Sequence, residues 1–240
     1  MTKGSTSPER GSLIVVDGPS GTGKNTLIRR LLPEIHSLGV PVSYVIEEKL
    51  DKKRGEILKA RKRGKEQGGT GDREMTEVLV EHRAQIYEKF VEPQIEKGRW
   101  VVADRGESAT LAYQTARGEL NMEDVWSMHR EREIRTPEAV ILTNCPPETA
   151  ILRELVDKRM SKVRRVMETK PDGLSGKVTV EKGASEVEQD ERRKAIHGQF
   201  KTTARFLKSK GVSVLSLDTG RMTVEEEVET ALGFLGLRKG

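Results

Sequence analysis

Residues 12–26, SLIVVDGPSGTGKNT, decide the fold. SLIVVD (12–17) is a short apolar run of the kind a buried parallel strand makes. It runs directly into a loop with glycines at 18, 21 and 23. From Lys24 onward, Leu27, Leu31 and Ile35 recur at helical spacing until Gly39. A strand, a glycine-rich loop and a helix in that order turn backbone N–H groups and a helix N-terminus toward phosphate oxygens. An ordinary glycine turn shares the glycines, but strand, loop and lysine together favour a phosphate loop. The usual G-x-x-x-x-G-K-[ST] pattern asks for a hydroxyl directly after the lysine. Here Asn25 holds that place and Thr26 comes one step late. Gly18, Pro19, Ser20, Gly21, Thr22, Gly23, Lys24, Asn25 and Thr26 are therefore the expected phosphate-binding residues. Asn25 can offer a carbonyl oxygen to magnesium or its water shell.

Working outward, VSYVIE (42–47), WVVAD (100–104), AVILTN (139–144) and VSVLSLD (212–218) read as four more strands. Helical patterns alternate with them, which predicts an α/β P-loop NTPase fold: a five-stranded parallel sheet with helices on both faces and a mobile lid. Ligands of such sheets sit beyond the carboxyl ends of the strands, so the loops after Asp17, Glu47, Asp104 and Asn144 should surround one cleft. Residues 73–92 predict a helix with Met75, Val78, Leu79, Ile86 and Phe90 on one face, and Pro93 as its kink or end. The last helix opens with Thr223 and Glu226 in capping-box spacing and should bury Val228, Leu232 and Leu235. METKPDGLSGKVTVEKGAS (167–185), rich in Gly, Lys and Ser, reads as an exposed flap. The organisation expected is a loose tail over 1–11 and a single domain over 12–240, with the lid about 159–186.

Composition narrows the class. Charged residues are 34% of the 240 and no apolar run is long enough to cross a membrane. The first twelve residues lack the apolar stretch of a signal peptide, so a cytoplasmic location is expected. The single cysteine, Cys145, excludes an internal disulfide and reads as a small buried residue. His36, His82, His129 and His197 are scattered and form no metal cluster, and His82 reads as a helix-surface residue. The net charge of +5 gathers in residues 49–65 and 153–182. Such patches suit a small polyanion as well as DNA, while 4% aromatic residues offer few stacking platforms for nucleic acid. The run KKRGEILKARKRGK (52–65) reads as a solvated amphipathic helix near the acceptor site, with nucleic-acid binding as the competing reading.

ADRGESATLAYQ (103–114) adds chemistry. Asp104 at a strand end can order magnesium-bound water, and the planar fork of Arg105 can clamp a second phosphate. A lone Asp-Arg pair would more readily be a salt-bridged turn, but the stretch is long enough to compare. It resembles the Asp-Arg-Tyr and Ser-x-Ala-Tyr-Gln segment of the thymidylate kinase family. EHRAQIYEKFVEPQIEKGRWVVADR (81–105) is similar to that family's preceding helix and strand, and NCPPETAILRELVDKR (144–159) to its approach to the lid. The GPSGxGKxT loop resembles those of nucleoside monophosphate kinases, whose loops often read Gly-Lys-x-Thr.

The resemblance implies transfer of the terminal phosphoryl group of ATP, with magnesium, to a deoxynucleoside monophosphate such as dTMP. By it Lys24 contacts the donor phosphates, Arg105 the acceptor phosphate, and Asp104 and Asn25 the metal shell. Arg83 and Thr110 serve the acceptor base, Tyr113 lies against the sugar, and Asp17 stands beside the loop on the acceptor side. Arg159, with Arg153, Arg164 and Arg165 behind it, supplies the lid arginines. The chain also departs from the family. Gly106 replaces a tyrosine, Ser20 an acidic residue, and Leu79 a phenylalanine. IEEKLDKKRG (46–55) stands for Arg-x-Pro-Gly, and Glu186 and Glu188 align only loosely. A deoxynucleoside or cytidylate-type kinase and a non-catalytic P-loop nucleotide-binding module stay open, as does a homodimer.

Overall fold

β1 (Leu13–Asp17) is buried at every position, the requirement for a strand with helices against both faces. Its side chains alternate between two cores. Leu13 and Val15 join one cluster, Ile14 and Val16 the other. The computed structural model describes residues 11–47, 54–66, 72–116, 118–157 and 184–237. Five parallel strands run in the order β2 (Val42–Ile46), β3 (Trp100–Asp104), β1, β4 (Ala139–Asn144) and β5 (Ser213–Asp218). Every strand lies within a residue of its predicted bounds.

One layer packs α1 (Lys24–Ser37) and α9 (Val224–Phe234) on the sheet through Leu27, Ile28, Leu31, Ile35, Val228 and Leu232. Each such side chain contributes about 1.5–3 kcal/mol when fully enclosed. The opposite layer holds α3 (Asp72–Ile86), α4 (Glu92–Glu96), α5 (Glu107–Thr115), α6 (Met122–Glu131) and α8 (Ala184–Ser209). The basic α2 (Arg54–Glu66) packs against α3, and residues 147–157 form α7 after β4. The capping box of Thr223 and Glu226 forms as predicted, whereas Leu235 is only partly buried. No helix among the described residues is long and apolar enough to cross a membrane.

The helix predicted over 73–92 needs correction. α3 ends at Ile86 and passes into a π-helical turn, Tyr87–Val91, before α4 carries the chain through Pro93 to Glu96. A π turn inserts one residue, so the buried face moves from Ile86 to Tyr87 and Val91. Phe90, expected inside, is 44% exposed, and Met75, Val78 and Leu79 are half-buried. His82, expected on the surface, is buried. The flap, most of the lid, Arg159, Arg164 and Arg165 lie outside the described residues, and α8 already begins at Ala184.

Candidate active site

The register brings Asp17, Ile46, Asp104, Asn144 and Asp218 to one edge of the sheet, and the phosphate loop follows β1 there. The loop is held tightly. A Cβ on Gly18 would lie 2.3 Å from the Thr143 carbonyl oxygen, and one on Gly21 would lie 2.1 Å from that of Ala150, with φ positive at both. Thr22, fully buried, shares a 2.7 Å hydroxyl contact with Thr143 and donates to the Pro19 carbonyl. Thr219, after β5, donates to the Thr22 carbonyl at 2.8 Å. Neither threonine carries a sequence signal, since each acts from another strand end.

Asp17 has no exposed surface. One carboxylate oxygen accepts the Gly18 N–H at 2.8 Å and the other the Ser108 hydroxyl at 2.7 Å. It anchors the loop to α5 and presents no face to the cleft. The Lys24 ammonium donates to the carbonyls of Gly18 and Pro19 at 2.8 and 3.0 Å. Asn25 and Thr26 are exposed at the N-terminus of α1, which has no side-chain cap. A cleft of about 520 Å³ gathers Ser20, Lys24, Asn25, Thr26, Asp104 and Arg105, with Arg153 at its rim. Arg153 donates to the Thr219 carbonyl at 3.0 Å.

Asp104 accepts from the Tyr44 hydroxyl at 3.3 Å. Burial raises its pKa, opposed by Lys24 and Arg105. Burial and Asp104 together push the Tyr44 phenol up to about 12. Arg105 stands at φ 75°, a left-handed conformation that costs a non-glycine residue roughly 1–3 kcal/mol. Its N–H donates to the Val16 carbonyl at 3.1 Å, and its guanidinium lies 5.8 Å over the Tyr113 ring. Burial disfavours the Arg105 charge, but Asp17 and Tyr113 more than offset this and raise its pKa. Tyr113 packs edge-on against Phe200 of α8. Gly106 also finds its reason: a Cβ there would sit 2.9 Å from both methyl groups of Val15.

Arg83 and Thr110, both expected at the acceptor base, meet in one buried network. Arg83 is 3% exposed, and its Nη1 donates to the Thr110 hydroxyl at 2.9 Å and to His129 Nε2 at 2.6 Å. Its Nε and Nη2 donate to the two carboxylate oxygens of Glu47 at 2.8 and 3.0 Å. Glu47, Glu107 and His129 were not legible as site residues, because they converge only when α3, α5 and α6 pack together beside the end of β2. His129 Nδ1 donates to the Val125 carbonyl at 2.7 Å. Burial, reinforced by Arg83, holds the imidazole pKa down at about 3. Glu107 accepts from Arg130 at 2.8 Å, while its other oxygen is buried with no hydrogen-bond partner among the described residues and lies 3.9 Å from His129 Nδ1. Burial lifts its carboxyl pKa to about 7 against the pull of Arg130 and Arg83.

These shifts act oppositely on stability. A histidine kept neutral by the fold contributes stability above its ordinary 6.5 and loses it as pH falls toward 3. A carboxyl whose pKa rises from 4.5 to about 7 contributes most below 4.5 and loses that contribution as pH rises through 7. Above pH 6.5 only the tail of the second slope remains, less than about 1 kcal/mol at about 1.4 kcal/mol per unit. Thermal melts between pH 6.5 and 8 should therefore show the parent midpoint falling by about two degrees more than that of Glu107→Gln. Parallel slopes would remove Glu107 as the cause.

A model of the family described as thymidylate kinase matches residues 16–172. The thymidylate kinase of Legionella pneumophila (strain Paris) is 34% identical over 113 residues, 47% of this chain and 53% of that protein. The probable thymidylate kinase of Pyrococcus abyssi is 30% identical over 162 residues, 66% of this chain and 77% of its own. The thymidylate kinase of Bacillus cytotoxicus is 29% identical over 159 residues, 60% of this chain and 69% of its own. With the first of these relatives, the chain spans about half the relative's length. With a family model covering most of the sheet and the phosphate loop at its edge, this chain belongs to the thymidylate kinase family.

Proposed function

We propose that the protein transfers the terminal phosphoryl group of ATP to dTMP, giving dTDP and ADP. The observation that carries this is the cleft that Lys24 of the phosphate loop and Arg105, the residue after β3, line together. One cation serves the donor phosphates and the other the acceptor phosphate. Phosphoryl transfer needs in-line placement and positive charge around a spread-out negative transition state, with little covalent help from the protein.

Each residue has a task in that reaction. The glycine-rich turn and the uncapped start of α1 offer N–H groups to the donor phosphates. Lys24 exchanges its loop carbonyls for phosphate oxygens. Arg105, fixed by its backbone bond to Val16 and by Tyr113, orients the acceptor phosphate. Arg153, and Arg159 outside the described residues, close over the transferring group. Lid closure excludes the water that would hydrolyse ATP. Asp104, Asn25 and Thr26 are hard oxygen donors around one cleft, a set that suits magnesium. Among the described residues no group of three or more His, Cys, Asp or Glu could hold a metal alone, so nucleotide phosphates complete the shell. Bound magnesium supplies partial neutralisation of phosphate charge. Residues 12–240 are read as one catalytic unit working in the cytoplasm.

The reading is tested by incubating the protein with ATP, magnesium and dTMP and separating the products. Equal amounts of dTDP and ADP are the expected result. ATP cleavage without dTDP, or no turnover, would point to the nucleotide-binding module instead.

A further inference from the structure

Glu47 is the first residue after β2, and its side chain is 12% exposed. It stands in IEEKLDKKRG, the segment that replaces the family's Arg-x-Pro-Gly, so a carboxylate occupies a stretch where the family pattern carries a cation. The structure gives that carboxylate a partner, the bidentate pair with Arg83. Arg83 has five N–H groups. Two are taken by Glu47, one by Thr110 and one by His129. The His129 bond fixes its own direction, because Nδ1 is committed to the Val125 carbonyl and Nε2 is left as the acceptor. The guanidinium is thus held in one plane from three segments, with a single N–H on Nη2 uncommitted among the described residues. Burial works against its charge, and Glu47 more than compensates, raising the pKa.

We propose that Glu47 is a positioning residue for the acceptor nucleotide: it fixes the Arg83 guanidinium so that one N–H faces the acceptor base. The proposal rests on the acceptor-side reading of Arg83 given above. Two physical reasons support it. A buried guanidinium without a counter-charge is costly, and removing one partner of a buried pair is strongly destabilising. A guanidinium already locked in plane also loses less freedom per hydrogen bond it makes to a ligand. A single directed N–H suits an acceptor presenting a ring carbonyl, as a thymine or uracil monophosphate does. An exocyclic amine in the same place would set donor against donor.

The test compares Glu47→Gln and Glu47→Asp with the parent by calorimetric titration of dTMP and by steady-state kinetics, with thermal melts confirming that each is folded. Glu47→Gln keeps the shape and removes the charge. It should weaken dTMP binding and raise the dTMP KM about tenfold or more, leaving the ATP KM within about twofold. Glu47→Asp, which keeps the charge, should fall between the two. A folded Glu47→Gln protein with parental dTMP affinity overturns the role of Glu47. Intact dTMP binding without turnover by the parent overturns the kinase reading alone, and the affinity comparison then still decides Glu47. Absence of dTMP binding by the parent overturns both.

Discussion

Lys24→Ala is expected to abolish phosphoryl transfer, with a loss on the order of a thousandfold or more. The Lys24 ammonium sits 2.8 and 3.0 Å from two carbonyls of its own loop, inside the turn that phosphates would occupy. The other two described cations of the cleft cannot substitute. Arg105 is fixed just after β3 by its backbone bond to Val16 and by Tyr113, and Arg153 is tied to Thr219. Alanine leaves the loop's own anchors, Asp17 with Gly18 and Thr22 with Thr143, in place. The variant should therefore melt near the parent while kcat/KM collapses. Activity within tenfold of the parent would remove Lys24 from the mechanism. Asn25 is a milder position. An amide carbonyl and a hydroxyl can both serve magnesium or its water, so Asn25→Ser should change the rate only a few-fold.

Arg105→Ala should lower kcat by about a hundredfold or more, close to 3 kcal/mol of transition-state stabilisation, while the KM for ATP barely moves. The split follows from position, because Arg105 lines the cleft from the end of β3 and has no part in the loop proposed to hold the donor. Its positive φ supplies a control. Glycine adopts that conformation without strain, so Arg105→Gly should be as inactive as the alanine variant yet more stable by about 0.5–1 kcal/mol. Equal stability with restored activity in either variant would contradict the assignment.

The sheet and the phosphate loop were legible because their signals are local. Five apolar runs ending in polar turns set both the strand positions and the edge at which ligands collect. Lys24, Asp104 and Arg105 then follow from their places at two strand ends. Helical phase was less secure, because a single residue inserted at Tyr87–Val91 moved burial from Phe90 to Val91. Of the buried network around Arg83, Arg83 and Thr110 were named from the resemblance, whereas Glu47 and His129 lay beyond sequence reading for a different reason. Glu47, Arg83, Thr110 and His129 come from four segments, and nothing in the letters around His129 separates it from the other histidines. Gly106 shows the same limit, since its cause is the methyl groups of Val15 on a neighbouring strand.

The central claim is that the acceptor is dTMP. Its most direct test is kcat/KM measured with ATP and magnesium across dTMP, dUMP, dCMP, dGMP, AMP and free thymidine. The account predicts dTMP first in that series and negligible transfer to thymidine, which gives Arg105 no phosphate to hold. A tenfold higher value for any other acceptor, about 1.4 kcal/mol of transition-state preference, would contradict it.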